Sequence, residues 1–287
     1  MMEMRESPDR DRTYKSRHHR FRCGRRSRRR FPFLPPGDCP QSSVGLDQGT
    51  RPDPDCEGFT YEHFAASKTH PAFNDDYDIA WAFINCTAAS SSPSLADSLP
   101  SPPEWREKIE GYRDGDIEGW VRRSFGERVP RAAVRKVCEE MYFGCDEYEA
   151  LGETPLYTTR RGGLWEEETS LVSFHWSDLP VVSAIYTGRP RSELSLALKL
   201  IGWTDFPGDL TITPDDGITK PSPLGLSVLC EKTGASFPLF LGDAESDRKT
   251  VSAFGRGNFA AIGDFLPDEA KRYKTPEEAL RDKGLLG

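Results

Sequence analysis

The stretch Leu224–Leu241, LGLSVLCEKTGASFPLFL, is the most apolar part of a polar chain. Its two apolar runs flank Glu231-Lys232-Thr233-Gly234. Short apolar runs joined by a few residues that contain glycine are typical of a β-hairpin, because glycine adopts the positive φ that a tight turn requires. The stretch therefore predicts a hairpin at the centre of the hydrophobic core.

The composition limits how much of the chain can fold around that core. The chain has 287 residues, of which 36% are hydrophobic and 29% are charged, and it contains 23 prolines. Many of the prolines fall in the first third, where no helix or strand periodicity persists. We predict a disordered basic, Pro-rich arm at 1–57 and a single α+β domain at 58–287, with a helical part at 58–150 and a mainly β part at 151–287.

Charge is distributed unevenly along the chain. The net charge is -8, yet the first thirty residues carry twelve bases against four acids. Basic runs of this kind serve as localisation signals or contact nucleic acid, whereas the acidic remainder repels nucleic acid. We predict a localisation or nucleic-acid cluster within residues 1–30, formed by Arg25, Arg26, Arg28, Arg29 and Arg30.

The first half of the folded region shows the 3.6-residue period of amphipathic helices. Tyr77, Ala80, Trp81 and Ile84 share one face of a helix over about 75–88, which predicts that this face packs in the core. Capping residues and periodicity predict further helices at about 60–66, 103–112, 116–125 and 131–142.

The second half favours strands. Short β-branched or aromatic runs predict strands at 156–159, 171–176, 181–187, 210–213 and 249–254, besides the hairpin. Helices are expected at 192–201 and after Thr275, which begins a capping sequence with proline at the first helical position. Helices followed by strands indicate an α+β fold, in which the N-terminal helices pack on a mostly antiparallel sheet.

Cysteines and hydrophobic segments bear on the cellular compartment. The seven cysteines contain no Cys-x-x-Cys pair, which favours reduced thiols. No apolar run reaches the roughly 20 residues of a membrane span, and the N-terminus has no secretory signal pattern. We expect a cytoplasmic or nuclear protein without membrane association.

Metal and cofactor sites have little support in the sequence. His63, His70 and His175 are the histidines of the folded region, and none has the spacing of a zinc ligand pair. The acidic loops Pro214–Gly217 and Gly242–Asp247 depart from the EF-hand spacing and are typical of turns. We predict no metal and no cofactor.

Three residues are candidates for chemistry. His175 lies in a strand-like run with Asp178 three residues later, and a histidine oriented by a carboxylate is a possible general base. Arg256, in the glycine-rich Gly255-Arg256-Gly257, is a possible anion contact. No phosphate-binding loop or nucleophile motif is complete, and no motif assigns the chain to a known family.

Three functional hypotheses follow. The leading one is a non-enzymatic intracellular module that binds an unknown protein partner through its acidic domain. The first alternative is an enzyme of unrecognised family that uses His175, Asp178 and Arg256. The second alternative is nucleic-acid contact through the Arg-rich arm.

Overall fold

A computed structural model of the protein describes residues 15–17, 58–70, 73, 75–92, 94–112 and 116–287. For residues 15–17, 95 and 96 it describes the backbone alone. The predicted arm, apart from residues 15–17, lies outside the described residues. The same holds for its basic cluster of Arg25, Arg26, Arg28, Arg29 and Arg30. The chain divides into two compact units, Met1–Arg22 with Ser170–Gly287 and Cys23–Thr169. None of the helices in the described ranges combines the length and hydrophobicity needed to cross a membrane.

The unit Cys23–Thr169, called the helical unit below, is built from helices around an aromatic core. Trp105 is fully buried, packs edge-on against Phe83, and donates its indole N–H to Ser67 Oγ at 2.9 Å. The predicted core face of the second helix is confirmed, since Tyr77, Ala80, Trp81 and Ile84 are all buried. The helices are α1 (Tyr61–Lys68), α2 (Asp76–Ala88), α3 (Leu95–Ser98), α4 (Pro102–Glu110), α5 (Ile117–Phe125) and α6 (Arg131–Ala150).

The helix α6 contains one non-helical residue, Gly144, at φ 71°. There the chain passes so close to residues 160–163 that a Cβ on Gly144 would lie 2.5 Å from backbone atoms of Arg161, Gly162 and Gly163. The next amide, of Cys145, donates to Arg160 O at 2.8 Å. Glycine is therefore required at this crossing.

The other unit, called the sheet unit below, is an α/β layer structure. Its strands are β1 (Lys15–Arg17), β2 (Ser183–Tyr186), β3 (Thr211–Ile212), β4 (Leu239–Gly242), β5 (Asn258–Ile262) and β6 (Arg272–Tyr273). They form one sheet in the order β3-β2-β1-β4-β5-β6, and the strand pairs are all parallel. Its helices are α7 (Arg191–Leu200), α8 (Leu224–Thr233), α9 (Glu245–Phe254) and α10 (Pro276–Asp282).

Both faces of this sheet are covered, as expected for parallel strands. On β2, Tyr186 packs with residues of α8, including Leu226 and Leu229, whereas Ile185 points to the opposite face and packs with Leu194 of α7. On β4, Phe240 joins the α8 side, while its neighbours Leu239 and Leu241 pack with residues of α10. This alternation explains why side chains on both faces of β2 and β4 are buried.

The predicted α+β fold with a mostly antiparallel sheet is wrong. Helices connect β2 to β3, β3 to β4 and β4 to β5, and a helical crossover returns the chain to the same end of the sheet, so that the strands run parallel. The predicted central hairpin is wrong as well: Leu224–Thr233 is α8, and only Leu239–Gly242 is a strand.

The remaining strand predictions divide into confirmed and incorrect ones. Strands lie within the predicted ranges 181–187 and 210–213. In contrast, residues 249–254 are part of α9, and residues 156–159 and 171–176 contain no strand. The helices predicted at 192–201 and after Thr275 are confirmed as α7 and α10.

Candidate functional site

The strand order places a topological switch point at the carboxyl edge of the sheet, and the space outside that edge is called the crevice below. From β1 the chain moves outward through β2 and β3, then crosses back to the other side of β1 and continues through β4, β5 and β6. The connection that follows β1 therefore runs toward β2 on one side of the sheet, and the connection that follows β4 runs toward β5 on the other side. In open parallel sheets, ligands bind outside the carboxyl ends of the strands at such a switch point. The residues that follow β2, β3 and β4 are thus the first candidates for a site.

Two aspartates follow β4 directly. Asp243 is the first residue after the strand, and Asp247 lies in the first turn of α9. The buried Asp247 carboxylate accepts hydrogen bonds through Oδ2 from the amides of Asp243 and Ala244, each at 3.1 Å. A Cβ on Gly242 would lie 2.6 Å from that same oxygen. Glycine at the end of β4 therefore lets Asp247 hold the backbone that carries Asp243.

A buried lysine completes this arrangement. Lys220, in the segment between β3 and α8, places Nζ 2.7 Å from Asp247 Oδ1, and its side chain is only 3% exposed. Burial lowers the pKa of the Lys220 ammonium group, and the carboxylates of Asp247 and Asp243 oppose that effect. One carboxylate thus binds the lysine with one oxygen and the Asp243 loop with the other.

A hydroxyl group lies at the end of β2. Thr187 is 3% exposed, and its amide donates to Ile212 O at 3.0 Å, which extends the β2–β3 pairing. Its Oγ1 accepts a hydrogen bond from the amide of Arg189 at 3.0 Å, just before α7 begins. Because a threonine hydroxyl carries one hydrogen besides its acceptor sites, Thr187 can still donate to a ligand.

These groups suit an anionic ligand. An ammonium ion and a hydroxyl donor stabilise negative oxygens, and lysine is a common point-charge partner of phosphate. Asp243 adds a carboxylate, and Mg²⁺ is often held by one or two carboxylates together with phosphate oxygens. Among the described residues no group of three or more metal-ligating side chains is present, so a magnesium ion here would rely on Asp243 and the ligand's own oxygens.

The other acidic loop is structural. Asp216, at the end of the short 3₁₀ turn Pro214–Asp216, accepts from the guanidinium of Arg191 at 2.8 Å and from the amide of Thr213 at 2.8 Å. The Arg191 amide donates to Asp215 at 2.6 Å. These contacts fasten the start of α7 to the segment after β3.

The histidine predicted as a base, His175, caps a 3₁₀ turn. Its Nδ1 lies 2.8 Å from Ser177 Oγ, its Nε2 lies 3.0 Å from Asp205 Oδ1, and its amide donates to Asp178 Oδ2 at 2.9 Å. The structure thus joins His175 and Asp178 through the His175 amide and not through their two side chains. A catalytic role for the two residues stays a prediction.

The predicted anion contact lies elsewhere in the sheet unit. The Arg256 guanidinium stacks over the Phe254 ring at 4.8 Å, directly after α9, at the entrance to β5. This is the end opposite to the carboxyl ends of the strands, because β5 begins at Asn258. Anion binding by Arg256 also stays a prediction.

Sequence patterns alone do not single out the site residues Thr187, Lys220, Asp243 and Asp247. Asp243 lies in an acidic loop whose composition is typical of ordinary turns. Its usable signal is its position shortly after the apolar run Leu239–Leu241, which marks the carboxyl end of a buried strand. No sequence signal pairs Lys220 with Asp247, because a helix and a strand separate them along the chain.

Comparisons with known proteins give low similarity. No protein-family model matches the chain, and no curated protein matches it. A Northeast Structural Genomics Consortium target is 13% identical with a TM-score of 0.46, and the match covers 78% of this chain and 77% of that one. Two structures carry the name "putative phosphoglycolate phosphatase". The one from Lactobacillus delbrueckii subsp. bulgaricus is 17% identical with a TM-score of 0.41, covering 83% and 86% of the two chains. The one from Lactobacillus plantarum is 19% identical with a TM-score of 0.36, covering 72% and 92%.

The leading functional hypothesis is corrected by these findings. The non-enzymatic protein-binding module is not proposed again; the similar solved structures that carry a functional name are named as a phosphatase or a hydrolase. The physical reason lies in this chain itself. A lysine and two aspartates at the switch point of a parallel sheet form a buried polar cluster that a plain binding surface does not require. An enzymatic function is taken up below as a proposal, and the roles predicted for His175, Asp178 and Arg256 stay predictions.

Proposed function

We propose that this chain is a hydrolase that removes the phosphoryl group from a small phosphomonoester. The site is the crevice at the carboxyl ends of β2 and β4. The single observation that carries the proposal is the Asp247 carboxylate, which holds Lys220 and the Asp243 loop together at the switch point. Phosphoryl transfer depends chiefly on positioning and on charge stabilisation, and this arrangement supplies both.

Each group has a distinct role in the proposal. Lys220 neutralises charge on the phosphoryl oxygens, and the Thr187 hydroxyl donates to one of them. Asp243 supplies a carboxylate that would hold a magnesium ion. The bound ion would stabilise the phosphoryl group as a Lewis acid. Asp247 positions the other two residues, because both of its oxygens are already engaged with Lys220 and the backbone.

The first experiment is a hydrolysis assay. Purified full chain is incubated with para-nitrophenyl phosphate and with a panel of phosphomonoesters that includes 2-phosphoglycolate, in Mg²⁺ and in EDTA. We expect hydrolysis that requires Mg²⁺. Asp243→Asn should lower kcat/KM at least about 100-fold, the scale seen when one charge-stabilising group is lost.

The matched control is Asp209→Asn, because Asp209 is exposed and only its backbone carbonyl, not its carboxylate, accepts a hydrogen bond from Lys232. This variant should retain wild-type activity. The proposal fails if no phosphomonoester is hydrolysed in Mg²⁺ and if phosphate or orthovanadate also leaves the melting temperature unchanged. Equal activity of Asp243→Asn and Asp209→Asn would show that the reaction does not take place at the assigned site.

A further inference from the structure

The loop that follows β5 borders the proposed site. Because β5 pairs with β4 in parallel, the segment 263–271 leaves the sheet at the same edge as Asp243. The loop is anchored at two points. The Gly263 amide donates to Tyr273 O at 2.8 Å, and the Leu266 side chain is buried. The loop carries three acids, Asp264, Asp268 and Glu269, at the same edge of the sheet as the proposed site.

One arginine of α9 holds this loop. Arg248 Nη1 donates to Asp268 Oδ2 at 2.6 Å and to Glu269 Oε1 at 3.2 Å, while Nη2 lies 2.5 Å from Glu245 Oε2. The hydrogen bond to Asp268, the largest influence, raises the pKa of Arg248, and the same contact lowers the pKa of Asp268. The Arg248 side chain is only 33% exposed, between helix and loop.

Arg248 directly follows Asp247 in the chain. Consecutive residues of one helical turn therefore fix two neighbouring loops of the carboxyl edge. Asp247 holds the loop after β4, and Arg248 holds the loop after β5. A single displacement of this turn would move both loops.

The charge of the loop follows from the same contacts. Without Arg248, the carboxylates of Glu245, Asp268 and Glu269 would lose the cation that they share. A unit charge about 10 Å from a bound anion changes the affinity for that anion by about twofold in water, and more where the protein excludes solvent. Removing Arg248 takes away one positive charge, which is enough to weaken the binding of an anion about twofold or more.

We infer that Arg248 is a specificity-determining residue of the proposed hydrolase, which admits anionic phosphomonoesters by neutralising and positioning the loop 263–269. This inference rests on the proposed function. It predicts a dependence on substrate charge: a substrate that bears a carboxylate besides its phosphate needs Arg248 more than one with an uncharged remainder.

The test compares Arg248→Met with Lys249→Met, which removes the same charge from the next residue, an exposed one. The KM values for 2-phosphoglycolate and for phenyl phosphate are measured in the full chain. Arg248→Met should raise the KM for 2-phosphoglycolate about two- to fivefold more than that for phenyl phosphate, and 0.5 M salt should reduce the difference. Lys249→Met should leave both values unchanged.

A third variant separates charge from position. In Arg248→Met/Asp268→Asn/Glu269→Gln the two loop carboxylates that Arg248 contacts are neutral and that of Glu245 on α9 remains, so the KM ratio should return toward that of the wild type, while the loop stays released. Amide hydrogen exchange of residues 263–270 should be faster in both Arg248 variants than in the wild type. This readout requires no activity, so it tests the anchoring even if the proposed function fails.

Two results would overturn the inference. One is an equal change of KM for both substrates in an active Arg248→Met enzyme. The other is unchanged hydrogen exchange of residues 263–270 in that variant. In contrast, an enzyme that hydrolyses no phosphomonoester at all refutes the proposed function, which the wild-type assay alone reveals.

Discussion

The Nζ of Lys220 lies 2.7 Å from Oδ1 of Asp247, and both side chains are almost completely removed from solvent. A buried ion pair gives little net stability, because desolvation of two charges offsets their attraction, but removing one partner leaves an uncompensated charge. The pair therefore acts as a constraint on structure, because the substitution of either residue alone leaves the other as a buried, uncompensated charge.

This constraint predicts a strongly non-additive pair of substitutions. Lys220→Met leaves a buried carboxylate and should lower the free energy of unfolding by about 3–5 kcal/mol. Lys220→Met/Asp247→Asn should recover most of that loss, because the asparagine oxygen still accepts from the amides of Asp243 and Ala244. Urea unfolding of the single and double variants measures the coupling.

Activity should not follow stability in this series. The double variant lacks the ammonium group, so it should remain inactive even though it folds. Additive losses of unfolding free energy would show that the lysine and the aspartate do not depend on each other. An active double variant would show that Lys220 has no part in the reaction.

The glycine that ends β4 provides a second prediction. Gly242→Ala would bring a methyl group to 2.6 Å from Asp247 Oδ2, so the carboxylate must move from the amide of Asp243. We expect a fall in kcat of about tenfold or more together with a lower melting temperature, since misplacement of a site by about 1 Å costs up to about 100-fold. The measurement is steady-state kinetics beside thermal unfolding.

The control for this substitution is Gly208→Ala. Gly208 is exposed, and a Cβ added there would have no neighbour within 4 Å, so the methyl group meets open space. Its variant should keep wild-type kinetics. Comparable kcat values for the two variants would mean that the fit between Gly242 and Asp247 has no part in the reaction.

The incorrect hairpin prediction at Leu224–Leu241 has a clear physical origin. Gly234 does have the positive φ that a turn requires, at 70°, but it ends α8 and does not form a hairpin turn. Leu226, Leu229 and Cys230 are buried at helical spacing. A short apolar run cannot distinguish a buried helix from a buried strand, and a glycine in the left-handed conformation serves both a turn and a helix end.

This error and the strand predicted at 249–254 together change the predicted topology. With α8 and α9 assigned as strands, no helix remains to connect β3, β4 and β5, and an antiparallel sheet is the natural inference. The helix α5 is predictable, because it shows a one-sided apolar stripe in which Trp120, Val121 and Phe125 are buried. The site is not predictable, since only the strand order places the ends of β2, β3 and β4, which Thr187, Lys220 and Asp243 follow, at one edge of the sheet.

A pH dependence is expected for the helical unit from His63. Its Nδ1 accepts from the Thr60 amide at 3.0 Å, its Nε2 lies 2.8 Å from Pro100 O, and the ring stacks on Phe59. Burial lowers the pKa of His63, although the contact to Pro100 and the charge of Glu62 oppose this effect. The folded state therefore binds the imidazole proton less readily than the unfolded state, in which the histidine titrates near pH 6.5, roughly the ordinary value.

The sign of the effect follows from this difference. The stabilising contribution is complete above the unfolded pKa of about 6.5 and decreases as the pH falls below it, because the unfolded state gains the proton more readily. Urea midpoints should therefore decrease between about pH 7.5 and pH 5.5, and His63→Gln should show a smaller decrease. Equal slopes for the two proteins would mean that another group governs the acid sensitivity.

The last helix of the sheet unit should respond to acid in a lower range. Lys271 Nζ and the Tyr273 hydroxyl each lie 2.5 Å from a carboxylate oxygen of Asp282. The Lys271 contact, followed by that of Tyr273, lowers the pKa of Asp282 to about 2. The unfolded value is about 3.9, so the contribution of this carboxylate is present above about pH 3.9 and is lost as the pH falls toward 2.

This prediction is local, because Asp282 joins the end of α10 to β6. Between about pH 5 and pH 2.5, amide exchange in residues 276–286, corrected for the intrinsic pH dependence, should accelerate in the wild type. Asp282→Asn should already show the faster exchange at pH 5 and change little on acidification. Lys274→Met, which removes an exposed charge next to β6 and keeps Lys271 and Tyr273 in place, serves as the control and should behave as the wild type. If Asp282→Asn kept the slow exchange of the wild type at pH 5, the carboxylate would not be what fastens α10 to the sheet.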